Sequence, residues 1–296
     1  VTAGLLLKQD GAVMRRTLGT VLSLLPAATG RVSQGGSVKW LVGGHACATG
    51  LLAAEMAARG TYGHNDAVRI FLQVISDQNN PERLTEGIAP DGSFSQWELT
   101  SGVLTKHYAT VGPIAAPLDA VFALMTAHDI RADDIEGIHA DCTRRTAIFN
   151  EPHPKTDHTA RASLPYCIAV AACTRDPALL LGPAYQPEML ANSQFQAMAK
   201  RVRITQNDDY ERQYPARSLS RVTITLRGGV SHSIEVDRTA NPRYLNPSDA
   251  DIEGKFCMIA TPVLGQVGTD RVIALVSRME TLPDVNELVD ALRPRK

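Results

Sequence analysis

Between Gln34 and Gly60 the chain reads QGGSVKWLVGGHACATGLLAAEMAARG, and ten of the twenty residues from Leu41 to Gly60 are glycine or alanine. The distance between packed helices is set by the side chains at their contact. A helix this poor in bulk therefore lets neighbours approach on several sides, which predicts a helical packing unit built around it. Ser37 is available to cap its N-terminus, which puts Lys39 in the first turn. A cation there opposes the helix macrodipole, and an anionic ligand at the same end would offset that cost. The plainer reading is a surface lysine on an alanine-rich core helix.

The rest of the composition mainly excludes. A chain of 296 residues makes one large domain or two of ordinary size, and 44% apolar content is ample for a core. Lysine and arginine number 30 against 31 acidic residues, a balance that gives no electrostatic case for nucleic acid or an anionic membrane. Cys47, Cys142, Cys167, Cys173 and Cys257 are widely spaced, odd in number and mostly set in apolar segments. That pattern points to reduced thiols and a cytoplasmic protein. No apolar run approaches the roughly 18 residues of a membrane span, and the start VTAGLLLKQD lacks the build of a signal peptide.

Along the chain, Leu5, Val13, Leu18, Val21, Leu22 and Leu25 fit one helix face from Leu5 to Leu25, closed by Pro26 and Gly30. A short helix over Asp66–Ile75 follows, with Asp66 as its cap. Residues 76–102 are polar and irregular, with turns at Pro81, Pro90 and Asp91-Gly92. Beyond Leu104 the pattern changes. Helices are expected over Pro113–His128, Thr159–Thr174 and Pro187–Lys200, and a strand over Ile135–Thr143. The basic cluster Lys200, Arg201 and Arg203 reads as a solvated helix end. Val222–Leu226 and Ser231–Val236, flanking Arg227-Gly228-Gly229, form the clearest hairpin. Helices return over Asp249–Ala260 and Thr269–Met279. The expected class is therefore α+β: a helical body (1–103), an inserted α+β lid (104–241), and a helical return to the body (242–296).

Familiar catalytic motifs are absent: no GxGxxG, P-loop, HExxH or GxSxG. Eight histidines are scattered without metal-ligand spacing, and His153 and His158 are a weak pair in a proline-containing loop. Three places deserve weight. Lys39 is one. Lys106-His107-Tyr108, at the junction of the first two blocks, is another, because ligand sites favour such junctions. The third is Tyr166, which opens an apolar helix where a tyrosine is most often core. Two lysines and a tyrosine have the chemistry to bind a polycarboxylate and move a proton beside one of its carboxylates. His45 and His107 are further candidates for proton transfer.

SVKWLVGGHACATGLLAAEMAARG, Lys106 followed by Asp119-Ala120, ARASLPYCIAVA, YPARSLSRVTITLRGG and the late IEGKF occur in an order and spacing that resemble the MmgE/PrpD family. That family includes 2-methylcitrate dehydratase, cis-aconitate decarboxylase and iminodisuccinate epimerase. The resemblance implies a large helical domain with a smaller α+β lid, the active site between them, and action on small di- and tricarboxylates without a metal or organic cofactor. Carried over by position, it puts two site lysines at Lys39 and Lys106 and a site tyrosine at Tyr166. The catalytic set expected is thus Lys106, Tyr166 and His107, with Lys39 and His45 binding substrate.

The chain departs from the family where a proline and a histidine commonly follow the second lysine; here Ala109 and Ala115 stand instead. The family also has a long helical stretch before the point matching this start, carrying an aspartate and histidines of the site. Three explanations stay open: a fragment, a separate polypeptide supplying those helices, or a shortened relative kept for binding or scaffolding. Without those helices, apolar faces including that of Leu5–Leu25 need covering by a second chain, an identical copy or a distinct N-terminal subunit, so an oligomer is expected.

Overall fold

The computed structural model describes residues 1–24, 38–77, 80–95 and 103–293, with the backbone alone at 39, 40 and 242. It divides into two compact units, Val1–Glu98 and Leu99–Lys296.

The first unit is helical: α1 (Thr2–Leu6), α2 (Gly11–Leu24), α3 (Lys39–Ala58) and α4 (Ala67–Ile75). The single helix expected over Leu5–Leu25 is two helices, and Leu25 lies outside the described residues. Lys8 takes a left-handed conformation (φ 53°), and Asp10 accepts a hydrogen bond from the Val13 amide at 2.8 Å, capping a fresh start. Gln9, at the break, ties the unit together by donating to the Ala54 carbonyl (2.7 Å) and accepting from the Thr17 hydroxyl (2.7 Å).

The small residues of α3 serve the packing predicted for them. Ala53, Ala54 and Ala57 are fully buried, and α3 lies against α2. Beside them, Gly63 passes so close to α2 that an added Cβ would sit 2.3 Å from the Gly19 carbonyl carbon. α1 also packs on α3, while Leu41, Leu51 and Leu52 are exposed. Ser37, the expected cap, lies outside the described residues; Val38 holds the cap position without a side-chain bond. Asp66 precedes α4 but makes no cap bond, facing Arg69 at 3.6 Å instead. In the polar stretch that follows, Asn80 caps a short 3-10 turn, Pro81–Thr85.

The second unit is α+β, as expected. Four strands, β1 (Ile135–Cys142), β2 (Val202–Gln206), β3 (Leu219–Leu226) and β4 (Ser231–Asp237), form a mixed sheet in the order β2-β1-β3-β4. β1 and β2 are parallel; the other pairs are antiparallel. The hairpin closes through Gly228 and Gly229, both at positive φ (102° and 89°), which glycine adopts without a Cβ penalty. Strand alternation gives the sheet two unlike faces. Ile138, Ala140, Val222 and Ile224 are buried, whereas Arg221 and Glu235 pair across the polar face at 2.9 Å.

Three helices complete the core: α5 (Ala115–Ala127), which packs on β3 and β4; α6 (Leu164–Thr174), which packs on α5; and α7 (Ser193–Ala199), which packs on α6. Two expected helices are broken in the same way. Thr159–Thr174 splits because Ser163 accepts from the Tyr166 amide and starts α6 afresh, with Pro165 in its first turn. Pro187–Lys200 splits because Asn192 caps α7. β2 is an addition to the expected elements: Val202–Gln206 takes in Arg203 of the basic cluster read as a helix end.

α8 (Asp249–Val276) joins the two late helices expected. Ser248 and Asp251 form a capping box at its start. Gly265 (φ 69°, ψ 168°) interrupts it three residues after Pro262. By length and composition alone, α3 from Leu41 to Ala58 and α8 reach the threshold for crossing a membrane. This corrects the reading that no run comes near it, although α8 is broken at Gly265 and carries Asp270 and Arg271 in its second half.

Candidate functional site

The segment from Thr105 to Val111 bends through residues 107–110 and is tied on both sides. The Thr105 amide donates to the Tyr244 carbonyl (2.8 Å), the Ala109 amide to Leu180 (2.9 Å) and the Val111 amide to Arg161 (3.0 Å). The Arg161 guanidinium returns a bond to the Ala109 carbonyl (3.1 Å). Lys255 on α8 donates to the Lys106 carbonyl, and burial pushes its ammonium pKa down.

Asp119 on α5 anchors this segment from below. Its carboxylate accepts from the Tyr108 phenol at 2.7 Å and from the Tyr244 phenol on its other oxygen. Both tyrosines are buried, at 5% and 2% exposed. Burial first, and the neighbouring carboxylate second, push both phenol pKa values up. Both are therefore fixed as proton donors to Asp119, not as bases.

Lys106 and His107, though adjacent, line different cavities. Lys106 lines a small one of about 60 Å³, with Tyr108, Thr110, Gly112, Arg238 and Tyr244. Lys106 itself is exposed, and its ammonium donates to the Thr110 carbonyl at 3.2 Å. His107 faces a wider cavity of about 750 Å³, with Asp119, Arg175, Arg243, Asp251 and Lys255. Its Nε2 donates to the Arg243 carbonyl (2.7 Å), and its ring meets Tyr244 edge-on at 4.9 Å. That bond leaves Nδ1 as the acceptor of a neutral ring.

The other expected site residues lie elsewhere. Lys39 and His45 belong to α3 in the first unit; the Lys39 side chain lies outside the described residues, and His45 is exposed. Tyr166 opens α6 inside the core of the second unit, 1% exposed, donating to the Ala184 carbonyl at 2.6 Å and meeting Phe195 edge-on. It lines neither the Lys106 cavity nor the His107 cavity. Among the described residues no cluster of three or more metal-ligating side chains occurs.

Sequence reasoning passed over Arg238, Tyr244 and Lys255 as site residues. Lys255 and Asp119 were inside quoted motifs, but nothing in their local pattern marked a role. Arg238 and Tyr244 come from the stretch after the hairpin, and only the fold brings them beside residues 105–112.

A family model described as the MmgE/PrpD C-terminal domain matches residues 108–281, more than half of the chain. The match takes in the whole sheet, Asp119, Arg238 and Lys255, and begins just after Lys106 and His107. No curated protein matches the chain.

Proposed function

The chain belongs to the MmgE/PrpD family through its C-terminal domain, and from that premise we propose that it is a cofactor-independent enzyme subunit of lyase or isomerase type. Its substrate is a small di- or tricarboxylate, and its reaction moves a proton beside one carboxylate, in a dehydration, decarboxylation or epimerisation. The observation that supports this most is Lys106, a cation on the wall of a small cavity with two fixed phenols as neighbours. An ammonium paired with a substrate carboxylate lowers that group's negative charge and so eases loss of the adjacent proton.

In this reading Lys106 binds, and the proton acceptor is another group. Tyr108 and Tyr244 are excluded by their bonds to Asp119. His107 has the right chemistry at Nδ1, and Lys39 and His45 of the first unit are the other candidates. Tyr166 takes part only by giving up the Ala184 carbonyl. Proton transfer at a carbon beside a carboxylate is common to all three reaction types, as abstraction in dehydration and epimerisation and as protonation after CO2 leaves in decarboxylation, so exchange or uptake of deuterium from D2O, followed by NMR over a panel of di- and tricarboxylates, tests the reading directly. Exchange that disappears in Lys106→Ala supports it. Carboxylate binding without exchange by any compound favours the second reading, a binding or scaffolding relative, to which Ala115 in place of the family's histidine already points.

We also propose that the chain works with a second chain. Leu41, Leu51 and Leu52 on α3 and Met258, Val263 and Val267 on α8 are all exposed. Monomers rarely leave large contiguous apolar patches open to water. A helical partner subunit that also brings acidic and histidine groups has stronger functional logic than a second copy. Mass in solution, followed by mixing with a candidate subunit and assaying turnover, separates the two; a fully active monomer refutes both. All five cysteines are unpaired, which supports a cytoplasmic setting.

A further inference from the structure

Among the described residues, Arg238 is a guanidinium without a counter-charge. It follows β4 in a 3-10 turn, and its neighbour Asp237 is engaged by Arg217 at 2.9 Å. Its Nε is buried and has no hydrogen-bond partner among the described residues, and no ion pair to Arg238 occurs among them. The groups that bear on its charge are the phenols of Tyr244 and Tyr214 and a like charge, Arg145. Burial itself pushes its pKa down. A guanidinium taken out of water next to another cation is costly unless an anion joins it.

The same group lines the Lys106 cavity. Gly112 shows how closely the two cations converge there. A Cβ built on Gly112 would lie 3.1 Å from Arg238 Nη1 and 3.9 Å from Lys106 Cε. Both side chains thus reach the one spot that glycine leaves open. A water needs about 10–15 Å³ of such space, so a cavity of about 60 Å³ has room for a carboxylate group.

We propose that Arg238 and Lys106 together form a carboxylate subsite over Gly112, in which the guanidinium takes one carboxylate of a small polycarboxylate. The planar fork of arginine matches the two oxygens of a carboxylate. Gly112 keeps the space, and Tyr244, fixed by Asp119, walls it. This deepens the proposed function and rests on it, since it names a second cation for the site assigned to Lys106.

The test is calorimetric titration of the full chain with citrate, and in parallel with inorganic phosphate, at low ionic strength. Arg238→Gln and Lys106→Gln are each expected to weaken citrate about tenfold or more, as loss of a charged hydrogen bond does. Gly112→Ala keeps both charges but puts a methyl group into the subsite, so it is expected to weaken citrate comparably. It also decides the matter if Arg238→Gln does not fold. Arg221→Gln, on the far polar face of the sheet, is expected to leave affinity within about twofold. Citrate bound normally by Arg238→Gln and Gly112→Ala but weakly by Lys106→Gln overturns the Arg238 subsite and leaves the proposed function standing. Phosphate bound as tightly as citrate, with the same dependence on Arg238, overturns the carboxylate assignment. Wild-type protein that binds neither anion overturns the subsite together with the reading on which it rests.

Discussion

Asp119 is the residue whose removal tests the architecture of the site most severely. It accepts from two phenols, Tyr108 and Tyr244, that are otherwise buried. A hydrogen bond to a charged group contributes about 1.5–3 kcal/mol, and a buried hydroxyl left without a partner costs about 1–3 kcal/mol. Asp119→Ala removes both acceptors at once and leaves two phenols unsatisfied. The two losses share one carboxylate and do not add in full, so we expect destabilisation of about 3–4 kcal/mol. For a unit of this size that is a fall of roughly 10 °C in Tm. Asp119→Asn keeps one acceptor oxygen and should cost about half as much.

The loss should also travel to the site. Tyr244 holds the Thr105 amide through its carbonyl, and Tyr108 lies within the same segment. Freeing both rings should expose residues 105–109 to hydrogen exchange in Asp119→Ala well before the sheet exchanges. Chemical denaturation gives the energy, and a double-mutant cycle with Tyr108→Phe gives the coupling. Asp119→Ala within about 0.5 kcal/mol of wild type, the ordinary range for a surface change, would mean that the phenols find other partners and that Asp119 does not hold the segment.

The Asp237 carboxyl is pushed up by burial but held lower on balance by Thr239, Arg217 and the Ser218 amide. Its folded pKa lies below the unfolded value of about 4, so its contribution is full above that pH and lost as pH falls through the folded value. Asp237→Asn should destabilise at pH 6 but not below the folded pKa; an equal gap at both would refute this. Cys142 and Cys167 are buried, which pushes their thiols up to about 12, whereas Cys47 is exposed. A thiol-reactive dye should therefore label Cys47 in the native protein and reach the other two only on unfolding; native labelling of Cys167 would refute it. Tyr166→Phe should cost about 1 kcal/mol through the Ala184 carbonyl and leave citrate affinity unchanged. Lost exchange activity at unchanged stability would instead put the phenol in the chemistry.

The α+β class, the hairpin and strand β1 were legible because each rests on local pattern: alternation, a Gly-Gly turn, and apolar runs bounded by turn residues. The errors share one cause. Ser163 and Asn192 lie inside apolar periodicity, so a helix reads straight through them, yet each bonds its own downstream amides and starts a new helix. β2 failed for a related reason. Val202–Gln206 has one weak alternation and a basic flank, and becomes a strand only because β1 offers it a parallel edge.

The site divides along the same line. Lys106 and His107 drew notice together from their position at a junction. The backbone bends from residue 107 onward, and the two side chains serve two cavities. The partner that Lys106 does meet, Arg238, is more than a hundred residues away and is brought back by the β3–β4 hairpin. No spacing rule finds such a pair, because the register of the sheet and the turn after β4 set the distance between them. What can be read locally is the consequence: a glycine at 112, in a segment otherwise filled with side chains, where a methyl group would touch both cations. A Cβ there would crowd the Arg238 guanidinium, so glycine lets the two cations converge, and a bound anion gives that convergence a reason.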